Sequence, residues 1–163
     1  MTNAAKEQAS GTKRVTLRNR AVTERQQQSN YRCNAVTGDL SAIHVVPAIA
    51  EQASGPAYSV VPLCDSVHQA GANVHLAAMA WGPLNSPPSF LKTFPIGMGP
   101  RTLGRSPQMK KWLYQQLASG TVHVIHNHGM WQMNSVYPAN AARKHRVRFI
   151  SSPRGALSHW AMS

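Results

Sequence analysis

Carboxylates are what this sequence has least of. Five Asp and Glu stand against 17 Lys and Arg in 163 residues, a formal net charge of +12, and no acid follows Asp65. Acid–base chemistry on paired carboxylates would have to draw on Glu51 and Asp65, which fall in or near the first predicted turn and helix, so that class is disfavoured. Cysteine is also scarce. Cys33 and Cys64 lie far apart with no CxxC pairing, which suggests neither a disulfide framework nor a zinc knuckle and reads as two plain thiols. No run approaches the ~20 apolar residues of a spanning helix, and the first forty residues lack the apolar centre of a signal peptide. The chain therefore reads as soluble and cytoplasmic, with a length suited to one domain and, at 42% apolar residues, enough material for a core.

What is present divides at about residue 40. Residues 1–39 hold seven bases and three acids, with apolar residues scattered at no 2 or 3.6 period among Gln26, Gln27 and Gln28. Such a segment cannot bury enough surface to offset its ordering entropy, so it is expected to be a disordered basic leader. A basic arm for nucleic acid or anionic lipid, and an upstream extension from a misplaced start codon, are the other readings.

From residue 41 the pattern becomes periodic. Ile43-His44-Val45-Val46-Pro47 reads as a buried parallel strand ended by proline. Ser54-Gly55-Pro56 makes a turn, and Val60, Leu63, Cys64 and Val67 form the stripe of an amphipathic helix closed by Gly71. Pro62 inside that stripe predicts a kink or a later start. Residues 73–80 read as a second strand, and 81–100, with five prolines and three glycines, as irregular apart from a short strand near Phe94. Ser106-Pro107 is an N-cap followed by proline at the first helical position, with Met109, Trp112, Leu113 and Leu117 as the apolar face and Gly120 as the stop. A strand over 121–125, a helix over 134–145 with Arg143, Lys144 and His145 at its C-terminal end, and a strand over 148–151 follow. The start of a further helix is expected over 156–163. Strands alternating with helices predict an α/β fold, a Rossmann-like parallel sheet flanked by helices, with ligands at the carboxyl ends of the strands.

Three places in that frame carry candidate chemistry. Gly55 opens the first helix, where free N–H groups can meet a phosphate, or it is an ordinary turn glycine. His123, His126 and His128 fall together in TVHVIHNHG, with His126 and His128 on one face of a regular strand and His123 on the other. An HxH pair invites a metal, but hydrolytic metal sites of that sort add carboxylates and none lies downstream, so no metal and no cofactor is expected. His126 reads as a hydrogen-bonded structural histidine, His123 as flanking the core, and His128, next to Gly129 at a strand end, as functional. Arg154, between Pro153 and Gly155 after the next strand, is placed either to clamp a phosphate or carboxylate or to sit solvated in a loop. Trp131 and Trp160 follow two strand ends and serve either as sugar-stacking platforms or as packing for the helix starts.

The runs HVVPAIAEQASGPAYSV, NVHLA, GRSPQMKKWLYQQL, HVIHNHGMW and SPRGALSHWAM, in that order, resemble the N-terminal half of family 4 glycosyltransferases, bacterial enzymes of the two-domain GT-B architecture. The resemblance covers residues 41–163 and is most specific in H-x-H-G-x-W and S-P-R-G-x-L-x-x-W. It implies a Rossmann-like acceptor domain over 40–163, cut short before a donor domain. It further implies sugar transfer with retained configuration from a nucleotide sugar, bound by that missing or separate domain, onto a lipid-linked or saccharide acceptor. Cell-envelope or exopolysaccharide synthesis at the inner face of the membrane is the implied setting, with an anionic membrane surface as a further partner. By the same resemblance Ser54 and Gly55 stand in the glycine-rich loop at the interdomain cleft, His128 projects into the acceptor and sugar site as the catalytic residue, and Arg154 lies close by as a substrate contact. The family's paired glycine is Ser54-Gly55 here. The alternative is a basic nucleic-acid-binding module, for which there is charge but no helix-turn-helix, RNP or zinc-finger pattern, so that contact with nucleic acid is expected to be nonspecific.

Overall fold

Alternating strand and helix signals become a single parallel sheet in the computed structural model, which describes residues 40–49, 55–84 and 86–157. The elements run β1 (Ser41–Val46), α1 (Pro56–Gln69), β2 (Asn73–Met79), β3 (Leu91–Phe94), a 3-10 turn (Arg101–Leu103), α2 (Pro107–Ala118), β4 (Val124–His128), α3 (Met133–His145) and β5 (Arg148–Ser152). The strands lie in the order β3-β2-β1-β4-β5, and all four neighbouring pairs are parallel. This is the α/β, Rossmann-like arrangement expected from the sequence. Because β2 and β3 extend one way from β1 while β4 and β5 extend the other, the order reverses between β1 and β4.

Each face of the sheet has its own core, set by the two-residue alternation of the strands. Ile43 and Val45 on β1, Ala77 and Met79 on β2 and Ile125 on β4 pack with Met109, Leu113 and Leu117 of α2 and Tyr137, Ala141 and Ala142 of α3. On the other face Val46, Leu76 and Ala78 pack with Val60 and Cys64 of α1. Each fully buried Ile, Leu or Val contributes roughly 1.5–3 kcal/mol of transfer free energy, so these two layers hold the sheet ends in place. The central strand β1 is buried along its whole length, whereas β5 is an edge strand with four exposed residues.

Local signals account for the helix ends. Ser106 is extended (φ −145°) and its hydroxyl accepts from the Met109 N–H at 3.3 Å, which satisfies one of the free donors at the start of α2. Gly71 adopts φ +94° as the chain leaves α1, a conformation that favours glycine. The later start predicted from Pro62 is not found: α1 begins at Pro56 and holds Pro62 in its interior. Cys64 is a free thiol, as expected for a plain cysteine, and lies fully buried, where burial pushes its pKa up to about 12. Cys33, Glu51, Ser54, Trp160 and the leader 1–39 lie outside the described residues, as does the predicted helix beyond Leu157.

The main correction concerns β4. Residues 121–125 read as the strand, but pairing with β1 runs from Val124 to Asn127, and the strand ends at His128. Before it, the His123 N–H donates to the Ser41 carbonyl at 2.9 Å and the Ser41 N–H donates to His123 Nδ1 at 3.1 Å. Those bonds fix the register so that Ile125 sits beside Ile43 in the core and His126 beside His44. Tertiary context has overridden the strand propensity of Thr121 and Val122 and drawn three polar residues into the sheet. His123 itself is exposed.

Candidate functional site

Both β1 and β4 put histidine on the face that carries α1. His44 is opposite His126 in the register, and His128 stands two residues further along the same face. His44 is 5% exposed and His128 0%, while His126 is half-buried. Such burial of polar rings needs partners. His44 Nδ1 and His128 Nε2 are 2.9 Å apart, and His126 Nε2 is 2.7 Å from the Ser152 hydroxyl at the end of β5. The His44 and His128 ring planes differ by only 8°, and the His126 ring centroid lies 3.9 Å from that of His128.

The remaining nitrogen of His128 faces Arg154. Arg154 Nε donates to His128 Nδ1 at 3.3 Å, and Nη2 lies 3.0 Å from the same atom. A guanidinium has no acceptor, so Nδ1 must offer a lone pair and the His128 proton sits on Nε2. From there it is donated to His44 Nδ1, which in turn leaves the His44 proton on Nε2. One contact thus sets the tautomers of two buried rings. Burial, reinforced by the neighbouring His126, His44 and Arg154, lowers the His128 pKa to about 3, and burial with His126 and Arg154 lowers that of His44 to about 4. His126 is lowered as well, by burial first and then by Arg154. The cluster is uncharged at neutral pH and the positive charge beside it belongs to Arg154.

Backbone geometry explains how Arg154 reaches back. Pro153 to Ala156 form a turn closed by the Ala156 N–H on the Pro153 carbonyl at 3.0 Å, with φ +51° at Arg154 and +82° at Gly155. Two left-handed central residues are the pattern of a type I′ turn, which glycine enters freely and arginine only at some strain. The guanidinium then extends to α1, where Nη1 donates to the Ser59 hydroxyl at 3.3 Å. Gly55 is the N-cap of that helix, with φ +68° and no side-chain cap hydrogen bond, and it stands at the same end of the sheet. The only side-chain carboxylate among the described residues, Asp65, accepts from Gln69 at 2.8 Å. An exposed guanidinium, an uncapped helix start and two neutral imidazoles can receive an anion and hydrogen-bond to hydroxyls around it.

Of the residues singled out in the sequence, His128 and Arg154 are in direct contact, Gly55 caps the helix that Arg154 reaches through Ser59, and Ser54 lies outside the described residues. Trp131 is 67% exposed with φ +70°, and its indole N–H donates to the Ala156 carbonyl at 3.3 Å. Two participants were missed. His44 was legible as one polar ring in the apolar run IHVV, since a polar residue in a buried strand calls for a partner. Ser59 offered no signal.

No family model and no curated protein matches the chain. Among solved structures, the UDP-GlcNAc 2-epimerase from Methanocaldococcus jannaschii is similar at 16% sequence identity and a TM-score of 0.42, over 69% of this chain and 30% of that one. The chain thus spans less than a third of that enzyme's length.

Proposed function

We propose that the chain is the acceptor-side domain of a retaining, nucleotide-sugar-dependent glycosyltransferase similar to family 4 enzymes. The observation that carries the reading is the contact between His128 and Arg154, because each stands in one of the two motifs on which the resemblance is most specific. In this reading Arg154 and the start of α1 hold a phosphate-bearing group, and His128, fixed in one tautomer, offers its ring to a sugar or acceptor hydroxyl. Orientation and electrostatic stabilisation are the contributions such groups make to transfer through a charged transition state. The nucleotide sugar itself is assigned to a separate donor domain, so this chain alone binds and does not turn over.

Cytoplasmic placement at an anionic membrane belongs to the same proposal. No described helix is long and apolar enough to cross a membrane, and exposed Arg143, Lys144, Arg146 and Arg148 cluster where α3 ends and β5 begins. A basic cluster of this kind is attracted to anionic lipid by about 1 kcal/mol per residue near the surface.

Calorimetric titration with pyrophosphate and with a sugar 1-phosphate tests the site. Saturable binding that Arg154→Gln abolishes is the expected result, together with no transfer from radiolabelled nucleotide sugars to a bacterial lipid extract. Binding indifferent to Arg154→Gln, or turnover by the chain alone, overturns the reading.

A further inference from the structure

We propose that His44, His126 and His128 form a binding site for a borderline divalent transition metal, of which Zn²⁺ is the probe, and that the metal and Arg154 compete for His128. This goes beyond the glycosyltransferase reading and does not rest on it. The ligand atoms of the three histidines all lie within 4.8 Å of one another. Two come from neighbouring strands at the same register and the third from the next residue on that face, so the backbone already holds the set together. Tetrahedral coordination at ~2.0–2.1 Å spaces nitrogen donors roughly 3.4 Å apart, between the 2.9 Å of the His44–His128 pair and the 4.8 Å limit of the cluster. Small ring movements therefore suffice.

The donor chemistry selects the ion. Three imidazoles without a carboxylate suit Zn²⁺, Cu²⁺ or Ni²⁺ and not Mg²⁺ or Ca²⁺, which take oxygen ligands. The Ser152 hydroxyl on His126 Nε2 is the kind of outer hydrogen bond that orients a ligating ring. The sequence argument against a metal counted His126 and His128 and asked for carboxylates, whereas the fold supplies His44 as a third nitrogen ligand.

Arg154 makes the site conditional. A metal on His128 Nε2 sends that ring's proton to Nδ1, which then points a donor at the Nε and Nη2 donors of Arg154. Both cannot hold His128 together, and the guanidinium charge opposes the incoming cation. The bond that fixes the tautomers in the metal-free arrangement is thus the one a metal must break.

Equilibrium dialysis of the full chain against Zn²⁺, with Co²⁺ and its visible absorption as a geometric reporter, decides the matter. One equivalent should bind, His126→Ala and His44→Ala should each weaken binding at least tenfold, and Arg154→Gln should strengthen it several-fold. Circular dichroism confirms that each variant is folded, and half-buried His126 and exposed Arg154 give two readouts that do not depend on replacing a fully buried ring. No saturable uptake, or uptake unchanged by His126→Ala, overturns the site. Weaker binding in Arg154→Gln overturns the competition.

Discussion

The two faces of β1 and β4 are made from alternate residues of the same two strands, yet they do opposite work. Ile43, Val45 and Ile125 point toward α2 and α3 and are buried among apolar side chains. His44, His126 and His128 point the other way and are buried, or partly so, among one another, Ser152 and Arg154. An apolar face gains from every group it hides, whereas a polar face must return each lost contact with water as a hydrogen bond, and the net gain per bond is only about 1 kcal/mol. The apolar packing, Ile43, Val45 and Ile125 on the first face and Val46 against α1 on the second, therefore accounts for folding. The histidine cluster adds little to stability, and a function for it is the simpler account.

Truncation should separate the faces most sharply. Leu113→Ala, deleting a fully buried side chain from the α2 face, is expected to cost about 2–5 kcal/mol in denaturant unfolding. Replacing His44 and His128 together with Leu removes both partners of a buried bond and should change stability far less, or raise it, while weakening binding of a sugar 1-phosphate more than that of pyrophosphate. Equal losses in the two variants would show that the histidine face is structural.

Acid should act chiefly on the face of His44 and His128, although burial also lowers the pKa of His75, which sits against Trp112 on the α2 side of the sheet. His44 and His128 titrate at about 4 and about 3 when folded and near 6.5 when unfolded, so below 6.5 the unfolded chain binds more protons and stability falls with pH. The loss levels off once the pH has passed below the folded values. By pH 5 it should reach about 2 kcal/mol for each group, read as a falling urea midpoint, and the double Leu variant should show a much flatter profile. A wild-type midpoint that does not move between pH 7 and pH 5 would mean the rings are not held neutral.

The same contrast explains what could be read from the sequence. Apolar patterning gave β1, β2, α1 and α2 because the residues that form those elements are the ones that bury surface, and Ser106-Pro107 marked the start of α2 because capping is local chemistry. The end of β4 was misplaced because His126, Asn127 and His128 look like loop residues until partners from β1 and β5 are known. Of the cluster, His128 and Arg154 were singled out from their place after predicted strands. His44 and Ser59 were not, because their roles depend on register across the sheet and on where a turn with two positive φ angles sends one guanidinium. Contacts between residues far apart in sequence carry no periodicity.

A local change outside both faces gives a smaller effect and calibrates the others. Ser106→Ala removes the acceptor for the Met109 N–H and should lower stability by about 1 kcal/mol without altering ligand binding or the pH profile.

The smallest expected change in stability, with the largest in binding, belongs to Arg154. Its side chain is exposed, so Arg154→Gln should move the unfolding free energy by no more than about 0.5 kcal/mol, in line with surface substitutions. Losing the guanidinium also releases His128 Nδ1, and the tautomers of His128 and His44 are then no longer dictated from one end of the chain of bonds. Nitrogen NMR of the imidazoles reads this directly: wild type should show His128 protonated at Nε2 alone, and the variant a mixture of Nδ1 and Nε2 forms. A variant that keeps the single Nε2 form would mean that His44 sets the tautomer by itself, and that Arg154 touches the cluster without ordering it.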